Sequence, residues 1–126
     1  MNSEDNKEIS KLTGGYIGTE IDEKWWRRYK ENGFFMRGNG EGELTENGLS
    51  FRRYLTKDPL IIPYKNITGI TFGKWHAGKW LAGKPVLKLH WTAEGDARKL
   101  CAGFYFKLSE NQLQRLVETI KKKANI

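Results

Sequence analysis

Polar and apolar side chains alternate along much of the chain, which is the pattern of half-buried β-strands. The alternation is clearest over Val86–Thr92 and Lys99–Phe106. One face of this pair carries the apolar residues Leu87, Leu89, Trp91, Leu100, Ala102, Phe104 and Phe106. Placing Thr92 opposite Lys99 brings the two apolar sets onto the same face. The pattern therefore predicts an antiparallel hairpin that turns at Gly95-Asp96.

Further strand-like segments come earlier and are separated by turn residues. Asn47-Gly48 is a hairpin signal, and Gly38-Asn39-Gly40 interrupts the segment before it with a break or bulge. The predicted segments are Phe34–Thr45, Leu49–Leu55, Leu60–Tyr64 and Asn66–Lys74. Together with the hairpin they make about six short strands in meander order.

Two segments have helical spacing. Ser109–Lys123 begins with a Ser109/Gln112 capping box, and its apolar positions recur every three or four residues. Thr19–Asn32 places Ile21, Trp25 and Tyr29 four residues apart, which predicts a short helix docked by its aromatic face. Met1–Leu12 is polar without a period, and Thr13–Gly18 is rich in glycine.

These elements predict a mainly β fold of a single domain over residues 19–126, preceded by a disordered tail and linker at 1–18. We expect the extra N-terminal helix at about 19–32, a barrel at about 34–106 and the C-terminal helix at about 109–123. Antiparallel strands with one apolar helix face predict a bent sheet or open barrel, with the helix closing one end.

Charge and cysteine content narrow the function classes. The net charge of +7 comes from the residues after 24, because residues 1–24 hold six acids and three lysines. A basic body favours anionic partners. Cys101 is the single cysteine, so no intramolecular disulfide can form. The sequence lacks the apolar run of a signal peptide or a membrane span. We expect a cytoplasmic protein, with peripheral attachment to the inner membrane surface left open.

The run Gly42–Phe51 and the run Ile61–Ile70, followed by the hairpin and the closing helix, resemble the pleckstrin-homology-like (PH-like) superfamily in its bacterial, GRAM-like form. The resemblance covers about residues 34–123. It implies two near-orthogonal antiparallel sheets of seven strands capped by a C-terminal helix. The seventh strand would come from splitting Phe34–Thr45 at its glycines.

Phosphoinositide-binding members of that superfamily carry basic residues at the loop joining their first two strands. The loop assigned to that place here contains Glu43 and Glu46, which would repel a phosphorylated headgroup. The nearby Arg52 and Arg53 are adjacent, so in a regular strand they point to opposite faces. We therefore expect no phosphoinositide site of the usual kind in this loop.

The segment Gly73–Lys84 repeats Gly-Lys three times and is predicted to form a hairpin tip. The candidate binding residues are Lys74, Trp75, Lys79, Trp80, Lys84, Arg52 and Arg53. The two indoles could cover the barrel end, contact a protein, or enter a membrane interface. Three lysines supply at most about 3 kcal/mol at an anionic surface, so stable attachment would need both indoles to insert or several copies of the chain to act together.

Other chemistries are less well supported. A nucleotide-binding loop would need Ser or Thr where Trp80 stands. Nucleic acid is not favoured, because no recognition motif accompanies the basic residues. The predicted hairpin places His90 opposite Cys101 without an orienting third residue, and two histidines with one cysteine do not fill a metal site.

We therefore expect neither an enzyme nor a cofactor, metal or small-molecule substrate. The sequence predicts a binding or scaffold module for a protein partner or self-association. The alternative is peripheral binding to anionic membrane lipid through the hairpin 73–84.

Overall fold

The structure, a computed structural model, describes residues 11–31, 34 and 37–126. In this part of the chain the strands are β1 (Leu12–Ile21), β2 (Lys24–Arg28), β3 (Gly38–Leu44), β4 (Gly48–Arg53), β5 (Leu60–Pro63), β6 (Ile67–Gly73), β7 (Trp75–His76), β8 (Lys79–Trp80), β9 (Val86–Trp91) and β10 (Leu100–Phe106). A short 3-10 turn at Tyr64–Asn66 links β5 to β6. The helix α1 (Glu110–Ala124) follows the last strand.

Seven strands form one antiparallel path in the order β5-β4-β3-β1-β10-β9-β6. The chain runs through β1, β3, β4 and β5, then through β6, β9 and β10, and β10 returns to pair with β1. Helix α1 packs on β6 and on the 3-10 turn. This mainly β architecture with one C-terminal helix confirms the predicted PH-like fold class.

The predicted linker is wrong, because residues 13–18 belong to β1 at the centre of the sheet. This strand pairs with β10 along one edge and with β3 along the other. Gly14 permits that pairing, since a Cβ there would lie 1.8 Å from the carbonyl oxygen of Tyr105. Gly14 is therefore a position of close strand approach, and Gly18 has a φ of 129° where the β1–β10 register shifts. The predicted tail at residues 1–10 lies outside the described residues.

The predicted helix at 19–32 is also wrong. Residues Asp22 and Glu23 have φ angles of 53° and 62°, and they turn β1 into β2 as a two-residue hairpin. Ile21 and Tyr29 are buried while Trp25 is 59% exposed, so the four-residue spacing does not mark one face. Aromatic and β-branched residues are as well suited to strands. The end of the predicted helix, at Asn32, lies outside the described residues.

The seventh strand of the resemblance is therefore β1, and it does not come from splitting Phe34–Thr45. Of that predicted segment the structure describes Phe34, which is buried at 3% exposure, and the residues from 37 onward, with β3 beginning at Gly38.

The predicted hairpin register is confirmed between β9 and β10. Trp91 pairs with Leu100, Leu89 with Ala102, and Leu87 with Phe104. These inward side chains join a core that includes Leu12, Tyr16, Phe51, Leu60, Ile62 and, from α1, Leu116 and Ile120. The predicted capping box of α1 is present, with Ser109 and Gln112 each bonding the other's backbone N–H. The barrel and helix thus share one core and leave the β7–β8 hairpin on the outside.

Candidate functional site

Strands β7 and β8 form a separate small hairpin that carries two exposed indoles. Trp75 pairs with Trp80, and their rings stack with centroids 6.3 Å apart. Trp75 is 60% exposed and Trp80 is 54% exposed. The turn residues Ala77 and Gly78 have φ angles of 52° and 79°, the two left-handed positions that a tight hairpin requires. The indoles therefore face solvent and do not cover the barrel end.

The inner side of this hairpin is fixed to the outer face of β1 and β10. His76 is buried over Gly103, where a Cβ would meet the imidazole Cδ2 at 2.2 Å. The His76 Nε2 lies 2.9 Å from the carbonyl oxygen of Gly18. The backbone N–H of Ala77 donates to Glu20 Oε2 at 2.8 Å. These contacts hold the base of the hairpin against the sheet and so position Trp75 and Trp80.

A second pair of indoles comes from β2. Trp25 and Trp26 are 59% and 62% exposed, and their rings meet edge to face at 5.9 Å. A Cβ on Gly78 would lie 3.3 Å from the ring of Trp25, so this indole reaches the β7–β8 turn. Trp25 and Trp75 also line the same cleft of about 500 Å³. We call Trp25, Trp26, Trp75 and Trp80 the four-tryptophan surface.

Positive charge concentrates beneath this surface. The guanidinium groups of Arg28 and Arg37 both donate to the carbonyl oxygen of Ala77, and Arg28 also donates to the carbonyl of Trp25. Burial, and then the nearby charge of Arg37, lower the pKa of Arg28. Two guanidinium groups that share one neutral acceptor add positive charge here, which the carboxylate of Glu20 on β1 partly offsets.

The predicted site residues fall into two groups. Lys74, Trp75, Lys79 and Trp80 are together in or beside the β7–β8 hairpin, and all four are exposed. Lys84 is exposed as well, and its Nζ lies 5.1 Å above the ring of Tyr105. The remaining two, Arg52 and Arg53, lie on β4.

Strand geometry separates the two arginines of β4. Arg52 faces solvent and donates to the carbonyl of Thr56 at 3.3 Å, whereas Arg53 is only 6% exposed. Adjacent strand residues point to opposite faces, as predicted. The structure therefore does not bring Arg52 and Arg53 together on one surface.

Sequence reasoning missed Trp25, Trp26, Arg28 and Arg37 as surface residues, because it placed the first three on a docked helix. The run Trp-Trp-Arg-Arg at 25–28 was the available signal. With β1 as the first strand of the PH-like pattern, the part of the sequence between β1 and β3 covers positions 22–37 and contains β2. It includes the basic residues Lys24, Arg27, Arg28, Lys30 and Arg37. The acidic segment 43–48, which the sequence analysis assigned to that place, instead joins β3 to β4.

The pair of His90 and Cys101 lies opposite in the β9–β10 register, as predicted. The Cys101 Sγ is 3.9 Å from His90 Nε2, and that nitrogen also meets Thr71 Oγ1 at 2.8 Å. Burial raises the pKa of the Cys101 thiol to about 12. A nucleophilic thiolate needs the opposite shift, so this environment does not activate the sulfur.

Comparison with known families extends over almost the whole chain. A family model described as "Bacterial PH domain-like" matches residues 2–121. A search of the curated proteins found no match. Within the described residues, no helix has the length and apolar character needed to cross a membrane.

Proposed function

This chain belongs to the bacterial PH domain-like family, and on that premise we propose that it is a peripheral membrane-binding module. Domains of this kind are binding or scaffold modules. The proposed ligand is an anionic membrane surface, contacted by the four-tryptophan surface. The proposed location is the cytoplasmic side, at the inner surface of the membrane.

The observation that carries the proposal is the exposure of four indoles from two separate segments. Their exposed fractions run from 54% to 62%. Exposing such apolar area to water is unfavourable in free energy, so a large exposed apolar patch indicates a contact surface. Tryptophan in particular favours the boundary between lipid headgroups and acyl chains, because its ring is apolar and its N–H is polar.

The cations around the indoles match an anionic surface. Lys74 and Lys79 lie on or beside the β7–β8 hairpin, Lys24 lies beside Trp25, and Arg37 lies beneath the turn. At about 1 kcal/mol for each cation near an anionic leaflet, Lys84 and these four contribute at most about 5 kcal/mol. That corresponds to a dissociation constant no lower than about 0.2 mM before any indole inserts.

The anchored base of the hairpin adds to the expected affinity. His76 and Ala77 are buried against the sheet, so the indoles of β7 and β8 are held in place before contact. Binding then costs less conformational entropy than ordering a flexible loop would. Insertion of the indoles supplies the apolar part of the binding free energy.

The test is cosedimentation with vesicles of phosphatidylcholine alone and of phosphatidylcholine mixed with phosphatidylglycerol. We expect pelleting with the anionic vesicles and weaker pelleting as salt is raised. The double variants Trp75→Ala/Trp80→Ala and Trp25→Ala/Trp26→Ala should each lose most of the bound fraction.

The matched control is Tyr54→Ala/Phe72→Ala, which removes two aromatic side chains that are 48% and 47% exposed, one in the turn after β4 and the other on β6. This control should pellet like the unaltered protein. The membrane proposal is wrong if both tryptophan variants pellet as well as the control does.

A protein partner or a second copy of the chain is the alternative ligand of the same surface. Tryptophan and arginine are the usual anchors of protein interfaces, and here Arg28 donates to the carbonyl of Trp25. Self-association predicts a mass that rises with protein concentration in analytical ultracentrifugation and returns to that of the monomer in Trp75→Ala/Trp80→Ala. A monomer at all concentrations, together with vesicle binding, favours the membrane.

A further inference from the structure

Behind the β7–β8 hairpin, three side chains with metal-binding atoms converge. Glu20 and Cys101 are cross-strand neighbours on β1 and β10, and His76 folds over the same face. Their donor atoms all lie within 4.8 Å of one another. The residues are almost fully buried, with exposures of 9% for Glu20, 1% for His76 and 3% for Cys101. This cluster uses none of the residues of the four-tryptophan surface.

The hydrogen bonds of His76 determine which ring nitrogen faces the cluster. Its Nε2 lies 2.9 Å from the carbonyl oxygen of Gly18. A carbonyl only accepts, so Nε2 carries the hydrogen and Nδ1 has the lone pair when the ring is neutral. The lone pair on Nδ1 therefore points into the cluster.

That Nδ1 atom is a buried acceptor without a donor. It has no hydrogen-bond partner among the described residues, and it lies 3.8 Å from the carboxylate oxygen Glu20 Oε2. Two electron-rich atoms that face each other in a buried place repel unless a proton or a metal cation lies between them. A metal ion would satisfy both atoms, and the sulfur of Cys101 is within its reach.

We propose that Glu20, His76 and Cys101 bind one divalent transition-metal ion, for which Zn²⁺ is the best match. Zinc accepts sulfur, nitrogen and oxygen ligands together, and three protein ligands leave a fourth position for water. The carboxylate and the thiolate balance the two charges of the ion. The cleft of about 500 Å³ that Glu20 and His76 help to line gives access from solvent.

The geometry requires a small adjustment. Zinc bonds of about 2.0 to 2.3 Å place tetrahedral ligands roughly 3 to 4 Å apart, so the widest pair would move closer by about 1 Å. Cys101 gives up its thiol proton to solvent when the metal–sulfur bond forms. Because binding releases this proton, metal affinity should increase with pH.

Neighbouring groups already orient the proposed ligands. The Gly18 carbonyl accepts a hydrogen bond from the Nε2–H of His76, and the Ala77 N–H donates one to Glu20 Oε2. Metal-binding histidines and carboxylates commonly have such outer partners, which fix the orientation of the ligand. The absence of a side chain at Gly103 leaves room for the His76 ring.

The experiment uses the full chain after removal of metal with a chelator. Co²⁺ is added first, because thiolate ligation gives an intense charge-transfer absorption and tetrahedral geometry gives strong visible bands. We expect saturation at one Co²⁺ for each chain, and loss of both signals when Zn²⁺ displaces it. Zn²⁺ should also slow alkylation of Cys101. Absence of a thiolate–cobalt band in the unaltered protein would overturn the proposal.

Two variants and one control identify the ligands. Cys101→Ser should abolish the charge-transfer band, and Glu20→Gln should weaken affinity at least about tenfold. Glutamine retains an oxygen acceptor for the Ala77 N–H, so Glu20→Gln keeps the test valid if the serine variant does not fold in circular dichroism. The matched control, His90→Gln, removes the other imidazole near Cys101 and should bind Co²⁺ normally. Unchanged binding in Glu20→Gln, or its loss in His90→Gln, contradicts the assigned ligands.

Discussion

His76 and Trp75 are adjacent in β7 but occupy opposite environments. The indole is 60% exposed, whereas the imidazole is 1% exposed beneath the hairpin. The difference follows from strand geometry, which points successive side chains to opposite faces. One face of this short strand therefore faces solvent, and the other attaches the hairpin to the barrel.

Burial of His76 predicts a pH dependence of the metal-free protein. Desolvation lowers the pKa of His76 in the folded state, and the charge of Glu20 opposes this more weakly. Above the unfolded value of about 6.5 the ring is neutral in both states, and its full contribution to stability is present. As the pH falls below about 6.5, the unfolded chain binds a proton that the folded chain resists, so the free energy of unfolding decreases.

Urea unfolding with a chelator present, between about pH 7 and pH 5, measures this decrease. The variant His76→Gln should show a shallower fall across that range, while His90→Gln should keep the fall of the unaltered protein. Equal slopes for His76→Gln and the unaltered protein would show that His76 does not control stability in this range.

At the scale of elements, the β7–β8 hairpin is held by contacts with strands far away in the chain. Gly18 and Glu20 of β1 bond to it, and Gly103 of β10 leaves space for its imidazole. The position of the hairpin is thus determined by non-local contacts, although its tight turn is local.

Gly103→Ala should displace the hairpin. The added Cβ would lie 2.2 Å from the imidazole of His76, and overpacking of this kind costs about 1 to 3 kcal/mol. Gly69→Ala is the matched control, because its Cβ would have its nearest neighbour, the His90 Cβ, at 4.0 Å. Urea unfolding and acrylamide quenching of tryptophan fluorescence should change in the first variant and not in the second. Equal stability of the two variants would mean that the ring does not rest on β10.

At the scale of the whole molecule, β1 links the two halves of the barrel. It pairs with β3 of the first half and with β10 of the second. Its side chains Leu12, Tyr16 and Ile17 are buried. The chain therefore needs its N-terminal strand to close the core, and a boundary at residue 19 would cut that strand in half.

Deletion of residues 1–18 should consequently prevent folding. The truncated chain loses the whole β1–β3 pairing and the pairing of β1 with Gly103 to Phe106 of β10. We expect no cooperative urea transition and weak near-ultraviolet circular dichroism, in contrast to the full chain under the same conditions. A cooperative transition in the truncated chain would show that the barrel closes without β1.

The amino-acid sequence alone determined the elements that depend on local patterns. The alternation of polar and apolar residues predicted the β9–β10 register. The capping box at Ser109, with the apolar residues spaced three or four apart after it, predicted the start of α1. These signals are complete within a few residues, because strand and helix periods place the side chains directly. The resemblance based on such segments therefore gave the correct fold class.

Only the tertiary structure decided the place of β1, of β2 and of both proposed sites. A glycine-rich segment cannot be told from a linker until its partner strand is known. A four-residue spacing of apolar side chains fits a hairpin as well as a helix, and only strand pairing distinguishes the two. The four-tryptophan surface combines residues about fifty positions apart, and Glu20, His76 and Cys101 come from three strands. Their proximity depends on long-range strand pairing, which no local pattern encodes.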